Sequence, residues 1–452
     1  MYLGPNEVTT AYLGDNEWEK DTPILPGIYL WKNGAFIIEA ANTGVALNFI
    51  ITNAVDNDQW EVRYYEQATS GKIELSQTNY VINNLSIKLV NMTRDTTGLI
   101  DITVDGDRCV YHRINNVNLE IDGFSLTGPN ITTTASATVD FLISRQDGGT
   151  TSPTDQWFAN ADCILRNCRV DGGTTTRTLV RLTNSESVQE VTAHLRCFNC
   201  DFVGGSGDRQ IFAVVSNILE VEGCTFVPTQ NNTGGQPIQI DRAQEVMITD
   251  CIFDASGFQW KHAIIMGNTS VMIESMTVDN CLMRGGFVNR NIWVLPAANG
   301  LTQPADPNIA GGVRTIINTA TVTVKDSTFE DCGSNGYITI ENVRSYISTG
   351  NTMDAPAASA LYHNYFIARD GLDKFTEHTY NTYNVAFGSG NNQSAVRATG
   401  FTDMVLLSDF NTFNRSQDAL FRLLFLEGQN LNTLAEAQAA GYELNSTDTI
   451  VP

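Results

Sequence analysis

Glycoside cleavage needs two carboxyl groups flanking the scissile bond, roughly 5–9 Å apart, and this chain offers acids that could meet that requirement. Glu220 and Glu222 form one candidate pair; Asp250 and Asp254, with Asp279 further on, form another, and Asp326 repeats the setting of Asp250. Asp101-Ile102-Thr103-Val104-Asp105-Gly106-Asp107 could present oxygens to calcium, but it lacks the closing Glu of a full binding loop, and a solvated turn accounts for it. Cys197 and Cys200 have the spacing of half a zinc site, with no second pair and no histidine cluster to complete it. His112, His194, His262, His363 and His378 each stand alone in the sequence. No metal and no cofactor is expected, and the catalytic residues, if any, are unassigned.

Aromatic residues near turn-rich segments suggest a different chemistry. Trp157 follows a Gly/Thr/Pro stretch, Trp260 sits in Phe258-Gln259-Trp260-Lys261-His262, and Arg290 and Trp293 lead into the Pro296–Gly312 segment. Rings stack on sugar faces, and Arg, Asn and Lys donate to hydroxyls. Trp157, Trp260, Arg290 and Trp293 are therefore the candidate carbohydrate-binding residues. The competing expectation is that these rings pack loops onto a wall.

The elements that must position them are set by a degenerate octet. It recurs at Leu119–Leu126, Cys163–Val170, Leu195–Phe202, Leu219–Phe226, Val246–Phe253, Met276–Met283, Val322–Phe329 and Tyr346–Met353. First, third and eighth positions are apolar, except Ser348, as one buried strand face requires. The fifth is always Gly, Asn or Asp: Gly123, Asn167, Asn199, Gly223, Asp250, Asn280, Asp326, Gly350. Those residues enter the left-handed backbone region at low cost, so each marks a corner. The corner accounts for Asp250 and Asp326, and outward alternation on a strand accounts for Glu220 and Glu222. The sixth positions are Phe124, Cys168, Cys200, Cys224, Cys251, Cys281, Ser327 and Asn351, 24 to 46 residues apart. Strand, corner and strand at such a period read as a parallel β-helix, in which like positions stack and the cysteines form an interior column. The octet extends weakly to Tyr80–Ile87, with Asn84 at the corner, and to Leu406–Phe413, where Phe410 breaks the corner rule.

Outside the octets, Ile28-Tyr29-Leu30-Trp31, Phe36-Ile37-Ile38, Leu47-Asn48-Phe49-Ile50-Ile51 and Trp60–Tyr65 read as strands of a small antiparallel domain or cap. Leu420–Leu426 is the most apolar run. The Ala-rich stretch after it, from Asn432 to Gly441, reads as a short helix that plugs the last repeat or meets another subunit. Lys and Arg number 27 against 50 Asp and Glu, a net charge of −23, which opposes binding to nucleic acid and adhesion to anionic membranes. No long apolar span or secretory leader is visible, so membrane insertion is not expected. Nine cysteines, mostly at interior positions, suit assembly in a reducing cytoplasm.

At the front, Tyr2-Leu3-Gly4-Pro5-Asn6-Glu7-Val8 is echoed by Tyr12-Leu13-Gly14-Asp15-Asn16-Glu17-Trp18. Leading Tyr-Leu-Gly repeats of this kind, ahead of a β-helix, resemble those of bacteriophage tail fibre and tailspike proteins. That resemblance implies an all-β chain built as a right-handed single-stranded parallel β-helix, with a β-rich N-terminal segment and a C-terminal cap. The expected organisation is a particle-docking segment over 1–20, a β-rich domain or cap over 21–78, the β-helix over 79–414 and a cap or oligomerisation segment over 415–452. The implied partners are other virion proteins through the N-terminus and a host-surface polysaccharide, in a homotrimer located in the virion. Pectate lyases and polygalacturonases share the scaffold, but the Asn-Thr-Asp, Asp-Asp, Gly-His-Gly and Arg-Ile-Lys motifs of the polygalacturonases do not occur here. The alternatives are a polysaccharide depolymerase and an architectural virion subunit without a ligand.

Overall fold

In the computed structural model the described residues are 26–450, less 66–68, 71, 76–83, 104–108, 113–116, 128–136, 144–160, 173–177, 185–192, 205–208, 214–215, 232, 241–242, 268–272, 296–319, 331–335, 342, 356–361, 368–373, 386–393, 400–403, 416–421 and 427–428. The Tyr2–Trp18 repeat, Trp157 and the Gly148–Asp155 and Pro296–Gly312 segments lie outside them. The chain is all-β with long parallel sheets, an arrangement compatible with a β-helix or solenoid. It divides into two compact units: Met1–Ser206 with Val215–Asn217, and Gly207–Val214 with Ile218–Pro452.

The first unit opens with an antiparallel hairpin, Gly27–Lys32 on Ala35–Ala40. Asn33 and Gly34 make its turn at φ 52° and 84°, the pair of left-handed residues that a two-residue hairpin loop demands. Thr43–Asn53 is an α-helix, which corrects the strand expected over Leu47–Ile51. Asn42 supplies the reason: its side chain accepts from the Val45 N–H at 2.9 Å and caps the helix. Ala46, Leu47 and Ile50 then fall on one buried helical face, and that packing overrides the strand preference of the β-branched pair Ile50-Ile51. Parallel pairing follows. Trp60, Ile87, Leu119, Cys163 and Leu195 stand in register across five neighbouring strands, all buried.

In the second unit the same octet position carries Val246, Met276, Val322, Tyr346, Thr376 and Leu406 in register. After the corner come two further strands, such as Thr352–Ala355 and Tyr362–Ile367, each paired in parallel with its counterpart one repeat away. After Asp250 and Asn280 there is instead one long strand, Ile252–Gly267 or Leu282–Leu295. All eight fifth positions adopt positive φ, from 49° to 85°, and Asn84 joins them at 58°. Gly350 shows a second constraint: a Cβ there would lie 2.2 Å from Oδ1 of Asp326, the corner of the neighbouring repeat. Phe410 turns its corner at φ 57° despite its bulk, and so does Tyr380 at 55°, within an octet over 376–383 that pattern reading missed. Its inward positions hold Thr376 and His378, both fully buried, and the Thr376 hydroxyl contacts His378 Nε2 at 3.0 Å. A polar pair bonded through the Thr376 hydroxyl and His378 Nε2 replaced the expected apolar signal.

The sixth positions line the interior. In the first unit Cys168 and Cys200 are buried free thiols, as are Cys224, Cys251 and Cys281 in the second. Each donates to the carbonyl two residues back, at 3.1 to 3.3 Å, and Ser327 does the same at 2.9 Å. Beyond Ser327 the column becomes amide: the Ser327 N–H donates to Asn351 Oδ1, the Asn351 N–H to Asn381 Oδ1 and the Asn381 N–H to Asn411 Oδ1, at 3.0, 3.1 and 2.9 Å. Burial pushes the Cys168 thiol well above the usual range, which keeps it protonated and unreactive.

At the C-terminal end Arg422–Leu426 is a strand, parallel to Ser394–Thr399 and antiparallel to Gln429–Leu431. The expected helix is present over Leu434–Ala439, started by a capping box between Thr433 and Glu436.

Candidate functional site

The acids proposed for catalysis are engaged elsewhere. Arg284 donates to Asp254 at 2.6 Å and holds that carboxyl down to about 2, so it stays ionised rather than serving as an acid. Asp279 pairs with Lys325 at 2.8 Å. Asp250 accepts from the Asn280 side chain at the adjacent corner. Glu220 is half-buried and Glu222 exposed on an outward strand face. His194 does not stand alone as expected: one strand away, Asp162 contacts its Nδ1 at 2.6 Å, and this hydrogen bond lowers the Asp162 pKa. Among the described residues no cluster of three His, Cys, Asp or Glu could hold a metal, and Cys197 and Cys200 are both buried in the column region.

The carbohydrate candidates separate. Trp260 is only 3% exposed and sits beside Phe287 in the wall, which corrects its reading as an exposed ring. The register explains this, because Trp260 pairs with the fully inward Phe287. Trp293 lies one position out of the core. Its neighbours Ile292 and Val294 are fully buried, whereas its own ring is half-buried on the outer face.

From Trp293 the pairing builds a row. Trp293 is in register with Thr339, Thr339 with Tyr365, Tyr365 with Arg397, and Arg397 with Phe425. Flanking residues of every one of these strands point inward: Ile338, Ile340, Asn364, Phe366, Val396, Ala398 and Leu424 are all fully buried. Neighbouring parallel strands lie about 4.8 Å apart, so Trp293 to Phe425 spans about 19 Å. Thr339 is fully buried and forms the floor; Trp293, Tyr365, Arg397 and Phe425 remain half-exposed.

Arginines stack along this row. The Arg290 guanidinium lies 4.4 Å from the Trp293 ring centre. Arg397 stands 4.7 Å from Tyr365 and 4.8 Å from Phe425, bridging the two rings, and Arg422 lies 5.3 Å from Phe425. Trp293 Nε1 donates to Glu341 at 3.3 Å, and the Tyr365 hydroxyl contacts Thr399 Oγ1 at 3.1 Å. Beneath Trp293, 5.1 Å away ring to ring, His262 is fully buried; burial, then the charges of Lys261 and Arg290, push its pKa down to about 3, so it is neutral. Flat rings, planar cations and edge donors on one sheet are groups able to stack on and hydrogen-bond a polar polymer with flat faces.

Two of the four sequence candidates, Arg290 and Trp293, belong to this row. Tyr365, Arg397, Phe425 and Arg422 were missed. A signal for Arg422 and Phe425 exists in Arg290-Asn291-Ile292-Trp293 and Arg422-Leu423-Leu424-Phe425, where an Arg three residues before an aromatic recurs. Compared with known proteins, the chain matches no family model, no curated protein and no solved structure.

Proposed function

We propose that this chain is a virion structural protein of tail fibre or tailspike type. On this reading its parallel strands close into a right-handed single-stranded β-helix, and its outward aromatic–arginine row binds a host-surface glycan. The row from Trp293 to Phe425 is the observation that carries the glycan reading: a ring or guanidinium at four of five successive positions, on a surface where burial alone would favour small or charged residues. Three features support a β-helix: left-handed corners in every octet, parallel pairing of like positions, and an interior column. Engagement of Asp254 and Asp279 by cations favours binding over cleavage.

The test is retention on purified capsular polysaccharides. Trp293→Ala and Tyr365→Ala are each expected to weaken binding about tenfold, the loss of one stacked ring, with thermal midpoints within a few degrees of the parent. Unchanged binding in both variants would refute the row, and shortened chains in the same incubation would identify a depolymerase instead.

The assembly proposed is a homotrimer, docked to other virion proteins through residues 1–20. Three parallel copies would multiply a weak sugar contact. Light scattering at micromolar concentration is expected to give three times the mass of 49.5 kDa; a stable monomer would remove this part of the reading.

A further inference from the structure

In the second unit, the outer face of one sheet changes character toward the C-terminal end. We infer that this face, anchored on Tyr380, Val405, Leu407 and Phe410, is where copies of the chain meet. The inference rests on the self-assembly proposed above and gives it a surface; it does not depend on the glycan reading.

The first ground is where the exposed apolar side chains lie. Nine large ones are exposed among the described residues, and five of them fall here: Tyr380, Val405, Leu407, Phe410 and Leu444, each 44 to 63% exposed. Val405 and Leu407 point outward from Met404–Asp409, the last strand of its sheet, and stand in register with Phe375 and Glu377. Leu444 is held beside them. Glu443 donates its N–H to the Ser408 carbonyl at 2.7 Å, and Asn445 donates its own to Asp409 at 2.6 Å. On the three preceding strands the matching outward positions hold Ser275, Thr277, Thr321, Thr323 and Ser345, with Ile347 the first apolar one. The change is therefore local.

The second ground is the corners. Tyr380 and Phe410 take φ 55° and 57°, whereas the octets before them in this unit turn on Gly223, Asp250, Asn280, Asp326 and Gly350. Two successive rings in left-handed backbone carry a cost that Gly, Asn and Asp largely avoid. Burial within the chain does not offset it. The rings stack on each other at 5.0 Å and 10°, and much of each stays in solvent. A surface laid over them supplies the burial that the fold itself does not.

Area and charge name the occupant. The five side chains present on the order of 500 Å², so two copies meeting on them bury about 1,000 Å², where specific interfaces begin. Around a symmetry axis through a face, each charge meets its own copy, so self-contact favours neutral residues, whereas a foreign partner matches charge with charge. In a chain of net charge −23, this face has little free charge. Asp409 accepts from the N–H groups of Phe410 and Asn445 and from the Asn445 side chain, and Asp279 pairs with Lys325. Glu377 is the exception. It accepts from the Thr379 hydroxyl at 2.9 Å, and among the described residues no cation pairs with it. Facing its own copy, that carboxylate opposes the contact; facing a cation, it would support it.

The experiment uses the full chain and follows its mass by light scattering and sedimentation over a concentration series. The parent is expected at three times 49.5 kDa. Leu407→Glu should raise the dissociation concentration at least about tenfold. The double variant Tyr380→Asn, Phe410→Asn should do the same and keep its fold, since Asn accepts left-handed corners at low cost. Glu377→Gln should lower the dissociation concentration about threefold. Leu99→Glu, at an exposed apolar position in the first unit, should leave it unchanged. A trimer undisturbed by Leu407→Glu and by the double variant would overturn this face and leave the assembly standing. Equal dissociation in Leu99→Glu would overturn it too, because charge placed anywhere would then suffice. Weaker association in Glu377→Gln would show a cation opposite that acid and overturn like-to-like contact. A parent that stays monomeric throughout would overturn both the face and the assembly.

Discussion

Stability is expected to fall steeply as pH drops from about 7 to about 4, a loss that begins well above the range where exposed carboxylates titrate. Four histidines are fully buried and held neutral: His112 has its pKa pushed down to about 4, and His262, His363 and His378 down to about 3, in each case chiefly by burial. In the unfolded chain each ring takes a proton near its ordinary value of 6.5. Between those limits the unfolded state binds more protons than the folded state. A depressed folded pKa thus gives a contribution fully present above about 6.5 and lost as pH falls toward the folded value. One pKa unit corresponds to about 1.4 kcal/mol, so a ring held near 3 contributes on the order of 4 kcal/mol. Four such rings exceed the typical stability of a domain. Glu443 works the other way, since burial raises its pKa and its contribution is lost as pH rises through the folded value. It offsets at most one proton. Urea midpoints measured from pH 7 to pH 4 check this, and His363→Phe should flatten the curve by about one proton. A flat profile down to pH 5 would mean that these rings are not buried as described.

The corners were readable because left-handed backbone is cheap for so few residue types. Asn84, Asn167, Asn199, Asp250, Asn280 and Asp326 could be located from type and spacing alone. Tyr380 could not, because the inward residues of its octet, Thr376 and His378, are polar and meet each other only once folded. The Thr43–Asn53 helix escaped because an apolar run reads alike in a strand and a buried helix. Burial also decided against Trp260, whose sequence surroundings resemble those of Trp293. The aromatic–arginine row was legible only at Arg290 and Trp293. Its residues share no type, and only the register of strands 26 to 46 residues apart brings Trp293, Thr339, Tyr365, Arg397 and Phe425 together.

Replacing Asn381 by Leu, which keeps the branching of the side chain, is expected to cost several kcal/mol. Asn381 Oδ1 accepts from the N–H of Asn351 at 3.1 Å and from its side-chain amide at 3.1 Å, while Asn381 Nδ2 donates to the Ser348 carbonyl at 2.9 Å. A leucine removes all three, together with the bond from the Ser348 hydroxyl at 3.3 Å, and takes from the buried Asn351 N–H its acceptor. Each orphan costs about 1–3 kcal/mol. The neighbours cannot turn to water, since Asn351 and Ser348 are themselves fully buried. Asn381→Asp provides the comparison: it keeps the acceptor, loses the donor and adds a charge, and should be harmful at neutral pH and milder in acid. Chemical denaturation of the three proteins decides the matter. A leucine variant within 1 kcal/mol of the parent would show that the amide column contributes little.

Asn351, Asn381 and Asn411 succeed one another at intervals of thirty residues, each offering its side-chain oxygen to the one before. The far end is closed by Glu443, which accepts from the side chains of Asn411, Ser408 and Ser446. Because each amide oxygen accepts the backbone N–H of the member before it and each amide nitrogen donates to a carbonyl of the preceding octet, the column carries no record of how many members it has. Removal of residues 352–381 would set Asn351 before Thr382 and hand it Asn411 as its new neighbour, with donors and acceptors still matched. Length here is a free variable for evolution. Slippage by one unit at the gene level can shift the reach of the protein by a strand's width, about 4.8 Å, without inventing any new contact.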